Sequence, residues 1–189
     1  MIRKCIAVIP GFFMIAALMF PAGLPAVDLT LHNVPAQVYF SPDGGALQAV
    51  IKEIDNAAME ILVETHSLAN PKIANALAGA KKRAVSVEVI LDKGERSGRS
   101  ASASLLASLK IPVYIDSSHT NTDNRVMLID KTTVIVGSLD FKRSTRETGT
   151  GNLLIIRSKD LAGLYVDDWL KHKQHSGAHQ KKDPPKRKS

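Results

Sequence analysis

Cysteine is almost absent from this sequence. The chain of 189 residues contains one cysteine, Cys5, which lies in an apolar stretch at the N-terminus. A chain cleaved after that stretch would contain none, which excludes a disulfide framework and a metal site built on thiolates. Folding must therefore depend on an apolar core, and this length is sufficient for one domain with such a core.

Aromatic residues are also scarce, at 5% of the chain with a single tryptophan. Proteins that bind single-stranded nucleic acid by stacking need a series of exposed aromatic side chains. The sequence has no such series, and it has no long insertion of the kind that would hold a lipid. It also has no internal repeat, so any twofold symmetry would require a second chain.

Only one long apolar run is present, and it lies at the N-terminus. Residues 1–26 combine a basic start, the run CIAVIPGFFMIAALMF and the segment PAGLPA, which is the pattern of a secretory signal peptide. We expect cleavage after Ala26 and a periplasmic or secreted protein with no transmembrane domain in its mature chain. The alternative is an uncleaved membrane anchor, which a short run broken by Pro10 and Gly11 does not favour.

The excess of positive charge is confined to the two ends of the chain. The net charge is +7, yet residues 27–170 contain sixteen basic and seventeen acidic side chains. From residue 171 onward there are seven basic residues and one acidic residue. We expect residues 177–189 to form a disordered basic tail, either solvated without a partner or attracted non-specifically to nucleic acid or anionic lipid.

Extended apolar runs alternate with helical spacing along the rest of the chain. This predicts a single α/β domain over residues 27–176, with a mixed β-sheet flanked by helices. The polar and small residues 94–104 predict a surface loop. The predicted strands cover residues 37–41, 60–65, 85–91, 112–116, 126–129, 133–136 and 152–156, and the predicted helices cover 46–59, 71–83, 105–110 and 159–173.

One predicted hairpin carries the residues of greatest chemical interest. Residues 126–129 and 133–136 predict two short buried strands, joined by an Asp-Lys turn and followed by Gly-Ser. A glycine at the end of a buried strand lets a ligand approach the backbone closely. A hairpin of this kind usually carries a reactive group just before its first strand, and here residues 123–125 are Asp-Asn-Arg.

The order of these segments resembles the phospholipase D superfamily. The stretches that carry the resemblance, between Val38 and Ser176, are VYFSPDGG, ILV, PKIANAL, VSVEVILDK, IPVYID, NRVMLID, TVIVGSLDF, NLLII and WLKH. More narrowly, the chain is similar to small secreted bacterial endonucleases of the Nuc type, which carry one motif per chain. The resemblance implies a phospholipase D-like single domain, a homodimer with one shared active site, hydrolysis of phosphodiester bonds in nucleic acid or phospholipid, and no cofactor.

Family members carry His-x-Lys-x-x-x-x-Asp, followed by Gly-Ser-x-Asn. The resemblance implies that one histidine attacks phosphorus and that the histidine of the second chain protonates the leaving oxygen. It also implies that the lysine, serine and asparagine side chains hold the phosphate oxygens. Retained at matching positions are the motif aspartate as Asp130 and the Gly-Ser pair as Gly137 and Ser138.

The remaining positions depart from the family pattern. The histidine corresponds to Asp123, the lysine to Arg125 and the asparagine to Asp140. The glutamate that orients the histidine in the family corresponds to Gly151. We therefore predict impaired catalysis at a site that still binds phosphate through Arg125, Ser138 and Asp140, with a non-catalytic homodimer that binds phosphate or nucleic acid as one alternative.

Other chemistries stay open at this point. Asp123 belongs to a residue type that acts as a nucleophile in phosphoryl transfer, so an active enzyme could use it directly. His119, four residues upstream, and His66, after the second predicted strand, are candidates to substitute for the missing histidine. Asp123, Asp130 and Asp140 with His119 offer ligands to a hard cation. Aspartate is common at turns such as that of Asp130, however, and we predict no metal.

Overall fold

The structure is a computed structural model that describes residues 26–41, 44–96, 101–119, 123–139, 141 and 151–179. The chain forms two units, Met1–Thr30 and Leu31–Ser189. Of the first unit only residues 26–30 are described, and they are exposed and form neither helix nor strand. All the described helices and strands belong to the second unit.

Strands and helices alternate through the first half of the second unit, and a run of strands precedes the last long helix. No described helix is long and apolar enough to span a membrane. The strands are β1 (Ala36–Ser41), β2 (Glu60–Thr65), β3 (Ser86–Leu91), β4 (Val113–Asp116), β5 (Arg125–Ile129), β6 (Thr133–Gly137), β7 (Gly151–Arg157) and β8 (Ser176–Ala178). The helices are α1 (Ala46–Asn56), α2 (Pro71–Lys82), α3 (Ala101–Ser108) and α4 (Lys159–His175).

The described strands form one sheet in the order β1-β7-β6-β5-β2-β3-β4-β8. β2, β3 and β4 run parallel, since a helix connects each to the next and supplies the crossover that parallel neighbours require. All other neighbours in the sheet are antiparallel. The predicted α/β architecture with a mixed sheet flanked by helices is confirmed.

Side-chain alternation along the strands divides the sheet into two faces. Val63 and Met127 pack with α1, α2 and α3 on one face, and Leu62 and Leu128 pack with α4 on the other. Trp169 of α4 is buried, and its Nε1 donates to the carbonyl oxygen of Val63 at 3.1 Å. We call the two sides of the sheet the α1–α3 face and the α4 face.

The start of α2 is fixed by its cap. The side chain of Asn70 accepts hydrogen bonds from the backbone N–H groups of Lys72 at 2.9 Å and Ile73 at 3.4 Å. Pro71 follows at the first helical position, where its missing N–H has no cost. The helix therefore begins at Pro71, as the sequence predicted.

The predicted surface loop over residues 94–104 is wrong in its last four residues. α3 begins at Ala101, and Ser102 is buried. The Ser102 hydroxyl lies 2.8 Å from the Ser67 hydroxyl and accepts the backbone N–H of Leu68 at 3.1 Å. Small polar residues suggested a solvated loop, but these hydrogen bonds satisfy the serine inside the domain.

Strand β8 was not predicted from the sequence. This strand of three residues pairs with β4 and extends to Ala178, two residues beyond the predicted domain boundary at 176. The backbone N–H of His179 also donates to the carbonyl oxygen of Val113 at 2.8 Å. A strand this short has no periodicity to detect, and the free edge of β4 is what orders it.

Candidate functional site

Of the candidate residues, Arg125 and Ser138 lie at the end of the sheet where β2, β4 and β6 finish and β5 and β7 begin. Arg125, the first residue of β5, pairs with Thr65, the last residue of β2. Gly137, the last residue of β6, pairs with Leu153 of β7, and Ser138 follows Gly137 directly. We call this the motif end of the sheet. The predicted phosphate-binding residue Asp140 lies outside the described residues.

Arg125 and its neighbour Asn124 belong to opposite faces of the sheet. Arg125 precedes Met127 by two residues, and Met127 packs in the core on the α1–α3 face. Strand alternation therefore assigns Arg125 to the α1–α3 face, whereas the side chain of Asn124 contacts Glu64 on the α4 face. Asp123 is exposed, and the Arg125 guanidinium has no ion pair or hydrogen bond within the described part of the chain.

Gly137 and Ser138 are held against the start of β7. The backbone N–H groups of Ser138 and Leu139 both donate to the carbonyl oxygen of Asn152, at 3.0 and 3.1 Å. The Ser138 hydroxyl accepts the backbone N–H of Asn152 at 3.0 Å. Its own proton is therefore available to another acceptor, such as a phosphate oxygen. A Cβ atom on Gly137 would lie 2.2 Å from the carbonyl oxygen of Asn152, so this backbone path requires glycine.

Gly151 is the residue that the family resemblance matches to the glutamate that orients the histidine. It begins β7 opposite Ser41, at the motif end of the sheet. A Cβ atom on Gly151 would lie 3.2 Å from the hydroxyl of Ser41 and 3.4 Å from that of Ser138. Both neighbours are small side chains that need shift only by a few tenths of an ångström. The site therefore has room for a side chain at this position but contains none.

The structure does not bring Asp130 into the motif end of the sheet. Asp130 follows the last residue of β5, roughly 16 Å along the strand from Arg125. Its carboxylate accepts the backbone N–H groups of Ala58 at 2.9 Å, Met59 at 2.7 Å and Glu60 at 3.0 Å. Its positive φ of 52° starts the tight turn into β6. In the structure the carboxylate ties the hairpin turn to the start of β2, and the catalytic assignment of Asp130 stays a prediction without support from a contact at the motif end.

Replacing Asp130 should therefore lower the stability of the fold and leave phosphate binding unchanged. Burial acts to raise the pKa of Asp130, but the three N–H donors outweigh it and hold that pKa below its ordinary value of 3.8. We expect Asp130→Ala to lower the free energy of unfolding in urea by about 1.5–3 kcal/mol at neutral pH. The difference in stability from wild type should shrink as the pH falls through the lowered pKa of Asp130. Protonation weakens the hydrogen bonds that stabilise the ionised carboxylate, so wild type loses the stability that the alanine variant already lacks.

Asp130→Asn provides the control for that measurement. Asparagine tolerates the positive φ and keeps one oxygen for the backbone donors, so it should cost less than alanine. Unchanged stability of Asp130→Ala together with lost phosphate binding would contradict the structural role.

His119 is held by Asp116 on the α4 face. Nδ1 of His119 lies 2.7 Å from Oδ2 of the buried Asp116, whose other oxygen accepts the backbone N–H of Ser118 at 2.9 Å. The hydrogen bond to Asp116 raises the pKa of His119 above its ordinary value of 6.5. Burial acts to raise the pKa of Asp116, but the bonds from His119 and Ser118 outweigh it and lower that pKa. The two residues form an oriented acid–histidine pair.

His66 lies at the motif end of the sheet, just after β2. Its Nδ1 is 3.9 Å from Oδ2 of the buried Asp92, which is beyond hydrogen-bond distance. The His66 side chain is partly exposed, at 39%. His66 thus directly follows Thr65, the sheet partner of Arg125, and no hydrogen bond within the described residues orients its ring as Asp116 orients that of His119.

A third acid–histidine contact was missed by the sequence analysis. Glu64 of β2 is buried, and its Oε1 lies 2.8 Å from Nδ2 of Asn124 and 2.7 Å from Nδ1 of His172 on α4. The rings of His119 and His172 are 5.3 Å apart between centroids. The sequence offered no signal for this contact, because Glu64 and His172 are 108 residues apart.

Among the described residues, no group of three or more histidine, cysteine, aspartate and glutamate side chains is arranged to hold a metal ion. Of the residues in the cation site that the sequence left open, Asp130 and Asp123 lie beyond opposite ends of β5, and Asp140 is outside the described residues. The absence of a metal and of a cofactor stays a prediction.

Comparison with known proteins agrees with this geometry. A family model described as "Cardiolipin synthase, PLD-like domain" matches residues 50–172. The chain is 30% identical over 151 residues to a phospholipase D of Rickettsia prowazekii (strain Madrid E), an alignment that covers 80% of this chain and 73% of that protein.

Two solved structures are similar over most of their lengths. Nuc from Salmonella typhimurium, a phospholipase D family member, has a TM-score of 0.72 and 28% identity, covering 78% of this chain and 99% of that one. NucT from Helicobacter pylori has a TM-score of 0.68 at 18% identity, covering 77% and 99%, and supports the fold alone. With a family match across most of the domain and the hairpin motif at one end of a shared mixed sheet, this chain belongs to the phospholipase D superfamily.

Proposed function

We propose that this protein is a catalytically impaired member of the phospholipase D-like phosphodiesterases that still binds phosphodiesters. The proposal rests on one observation at the motif end of the sheet. An aspartate, Asp123, takes the place that the family resemblance gives to the nucleophilic histidine. Arg125 and Ser138 lie at the same end of the sheet, and the Arg125 guanidinium has no partner among the described residues. A guanidinium and a hydroxyl suffice to bind phosphate oxygens without cleaving the ester.

Electrostatics supports impaired catalysis. An ionised Asp123 repels an anionic diester, and two such charges about 4 Å apart cost about 4 kcal/mol at an effective dielectric of 20. A carboxylate is also a weak general acid at neutral pH. Gly151 supplies no group to orient a substitute base. Each of these three features lowers the expected rate of phosphodiester cleavage. Their joint occurrence is expected of a site in which several catalytic groups have been replaced together.

The second candidate is an active phosphodiesterase that uses His119. It is favoured by one observation, the hydrogen bond from His119 Nδ1 to buried Asp116, which leaves Nε2 free to act as a base. Against it, His119 packs on His172 at the α4 face, whereas strand alternation assigns Arg125 to the α1–α3 face. Because the candidate base and the residue that would bind the phosphate lie on opposite faces of the sheet, the first candidate is favoured.

The test uses purified protein that lacks residues 1–26. We expect no cleavage of plasmid DNA or bis-p-nitrophenyl phosphate without added metal, together with weak binding of a short fluorescein-labelled thymidine oligonucleotide. Arg125→Ala should weaken that binding by about tenfold or more and reduce its dependence on salt. Phosphatidylserine vesicles in place of the oligonucleotide distinguish a phospholipid headgroup from nucleic acid.

Lys159→Ala is the matched control, because it removes one exposed positive charge at the start of α4, away from the motif end. It should leave the affinity unchanged. Equal loss of affinity in both variants would assign the binding to overall charge, and the proposed site would be wrong.

We further propose that the protein acts as a homodimer. One motif per chain and the absence of an internal repeat support this, since a complete family site needs two motifs. Facing Asp123 side chains would weaken such a dimer. Sedimentation that finds only monomer at high protein concentration and high salt would contradict it.

We also propose export to the periplasm or beyond the cell, with the signal peptide removed after Ala26. The support is the charge, apolar length and small residues of positions 1–26. A mature N-terminus at Val27 in the exported fraction is the expected result. Recovery of the full-length chain from the cytoplasm alone would count against this proposal.

A further inference from the structure

One buried carboxylate oxygen joins three separate parts of the chain on the α4 face. Glu64 lies near the end of β2, and its side chain is only 4% exposed. Oε1 accepts a hydrogen bond from Nδ2 of Asn124, just before β5, and lies 2.7 Å from Nδ1 of His172 on α4, within hydrogen-bond distance.

The burial of Glu64 makes this contact costly to break. A buried carboxylate that loses a hydrogen-bond donor keeps its desolvation penalty and loses the compensation. Moving Asn124 or His172 away from Glu64 would therefore cost free energy. The hydrogen bond to Glu64 keeps the side chain of Asn124 on the α4 face.

The loop before β5 is also held at a second point. His119 is bound to buried Asp116 through Nδ1, and its ring packs on that of His172 at 5.3 Å between centroids. The described ends of the connection from β4 to β5 thus both attach to the same polar cluster, which consists of Glu64, Asp116, His119, Asn124 and His172. Asp168, 3.9 Å from Nε2 of His172, is the further charged group beside it.

We infer that Glu64 and His172 are positioning residues for the phosphate-binding site. Asn124 lies between Asp123 and Arg125, and neighbouring residues of an extended chain point to opposite sides. Holding Asn124 on the α4 face therefore directs Arg125 to the α1–α3 face, where it meets phosphate. This inference rests on the proposed function, because the role of Arg125 as the phosphate clamp belongs to that proposal.

The main experiment compares Glu64→Leu with Glu64→Gln in binding of the fluorescein-labelled thymidine oligonucleotide. Leucine removes the acceptor and fills similar space, whereas glutamine keeps one oxygen for Asn124 and His172. We expect Glu64→Leu and Asn124→Ala each to weaken binding by about tenfold, the equivalent of one charge-assisted hydrogen bond. Glu64→Gln should restore most of the affinity. The double variant Glu64→Leu, Asn124→Ala should bind no more weakly than either single variant, because the two residues act through one contact.

Trp169→Phe controls for general loosening of α4. It removes the hydrogen bond from Trp169 to the Val63 carbonyl but leaves Glu64, Asn124 and His172 in place. It should lower the melting temperature without changing oligonucleotide binding. Weaker binding in Trp169→Phe equal to that in Glu64→Leu would overturn the positioning role.

Hydrogen exchange separates this inference from the proposed function. Peptides that contain residues 123–128 should exchange about tenfold faster in Glu64→Leu than in wild type, and at the wild-type rate in Trp169→Phe. If wild type binds no oligonucleotide but this exchange pattern holds, the proposed phosphate site fails while the positioning of Arg125 by Glu64 stands. Unchanged exchange and unchanged affinity in a folded Glu64→Leu protein would overturn the inference.

Discussion

The triple variant Asp123→His, Arg125→Lys, Asp140→Asn is expected to cleave bis-p-nitrophenyl phosphate, and wild type is expected not to. The substitutions return a neutral nucleophile and general acid to the motif end and remove the carboxylates that repel the diester. Ser138 already stands at the same end of the sheet on a fixed backbone. We expect a gain of at least about 100-fold over wild type, since the loss of one member of such a catalytic unit costs several orders of magnitude.

Gly151→Glu should raise the activity of the triple variant further. The added carboxylate would orient the new histidine and select its tautomer. A Cβ atom at this position would lie 3.2 and 3.4 Å from the hydroxyls of Ser41 and Ser138, and its contact with the Ser138 carbonyl oxygen, at 3.5 Å, is an ordinary van der Waals distance. Gly151→Glu alone should produce no phosphodiesterase activity, because the glutamate acts only through the histidine that it orients. Restored activity per chain should also fall on dilution, since the proposed site needs motifs from two chains.

Two results would contradict this interpretation of the motif. Turnover by wild type that Asp123→Ala abolishes would identify the aspartate as a working nucleophile. Turnover by wild type that His119→Ala abolishes would show that the acid–histidine pair with Asp116 reaches the phosphate.

Gly137→Ala is expected to destabilise the protein strongly. The new Cβ atom would lie 2.2 Å from the carbonyl oxygen of Asn152, and φ at this residue is 157°. The oxygen is a backbone atom that already accepts the N–H groups of Ser138 and Leu139, so it cannot move without breaking both bonds. We expect a loss of about 3 kcal/mol in the free energy of unfolding and weaker oligonucleotide binding, because Ser138 is displaced as well.

Gly163→Ala is the control for that variant. Gly163 is exposed on α4, and nothing lies within 4 Å of the position of its Cβ atom. Alanine should stabilise this helix by about 0.5–1 kcal/mol and leave binding unchanged. A Gly137→Ala protein that unfolds in urea as wild type does would show that the start of β7 can move away, and the rigid placement of Ser138 would be wrong.

Local pattern was sufficient to predict most of this fold. Apolar runs of four to seven residues between polar breaks identified the strands from β1 to β7, and spacing on one face identified α1, α2 and α4. Asn70-Pro71 fixed the start of α2 because a cap depends on adjacent residues only. The family resemblance assigned Arg125 and Ser138 to one phosphate-binding site, and both lie at the motif end of the sheet because strand and turn lengths determine where a hairpin begins and ends.

Tertiary structure decided which polar side chains meet. Asp130 keeps its family position in the sequence, but its role depends on backbone N–H groups about seventy residues away. Ser102 was predicted in a loop, and a hydrogen bond with Ser67 places it inside the domain. His172 and Glu64 are 108 residues apart, and no local pattern indicates that they share Asn124. Sequence periodicity reports whether a side chain is buried, but the hydrogen-bond partner of a buried polar group is set by how distant strands and helices pack together.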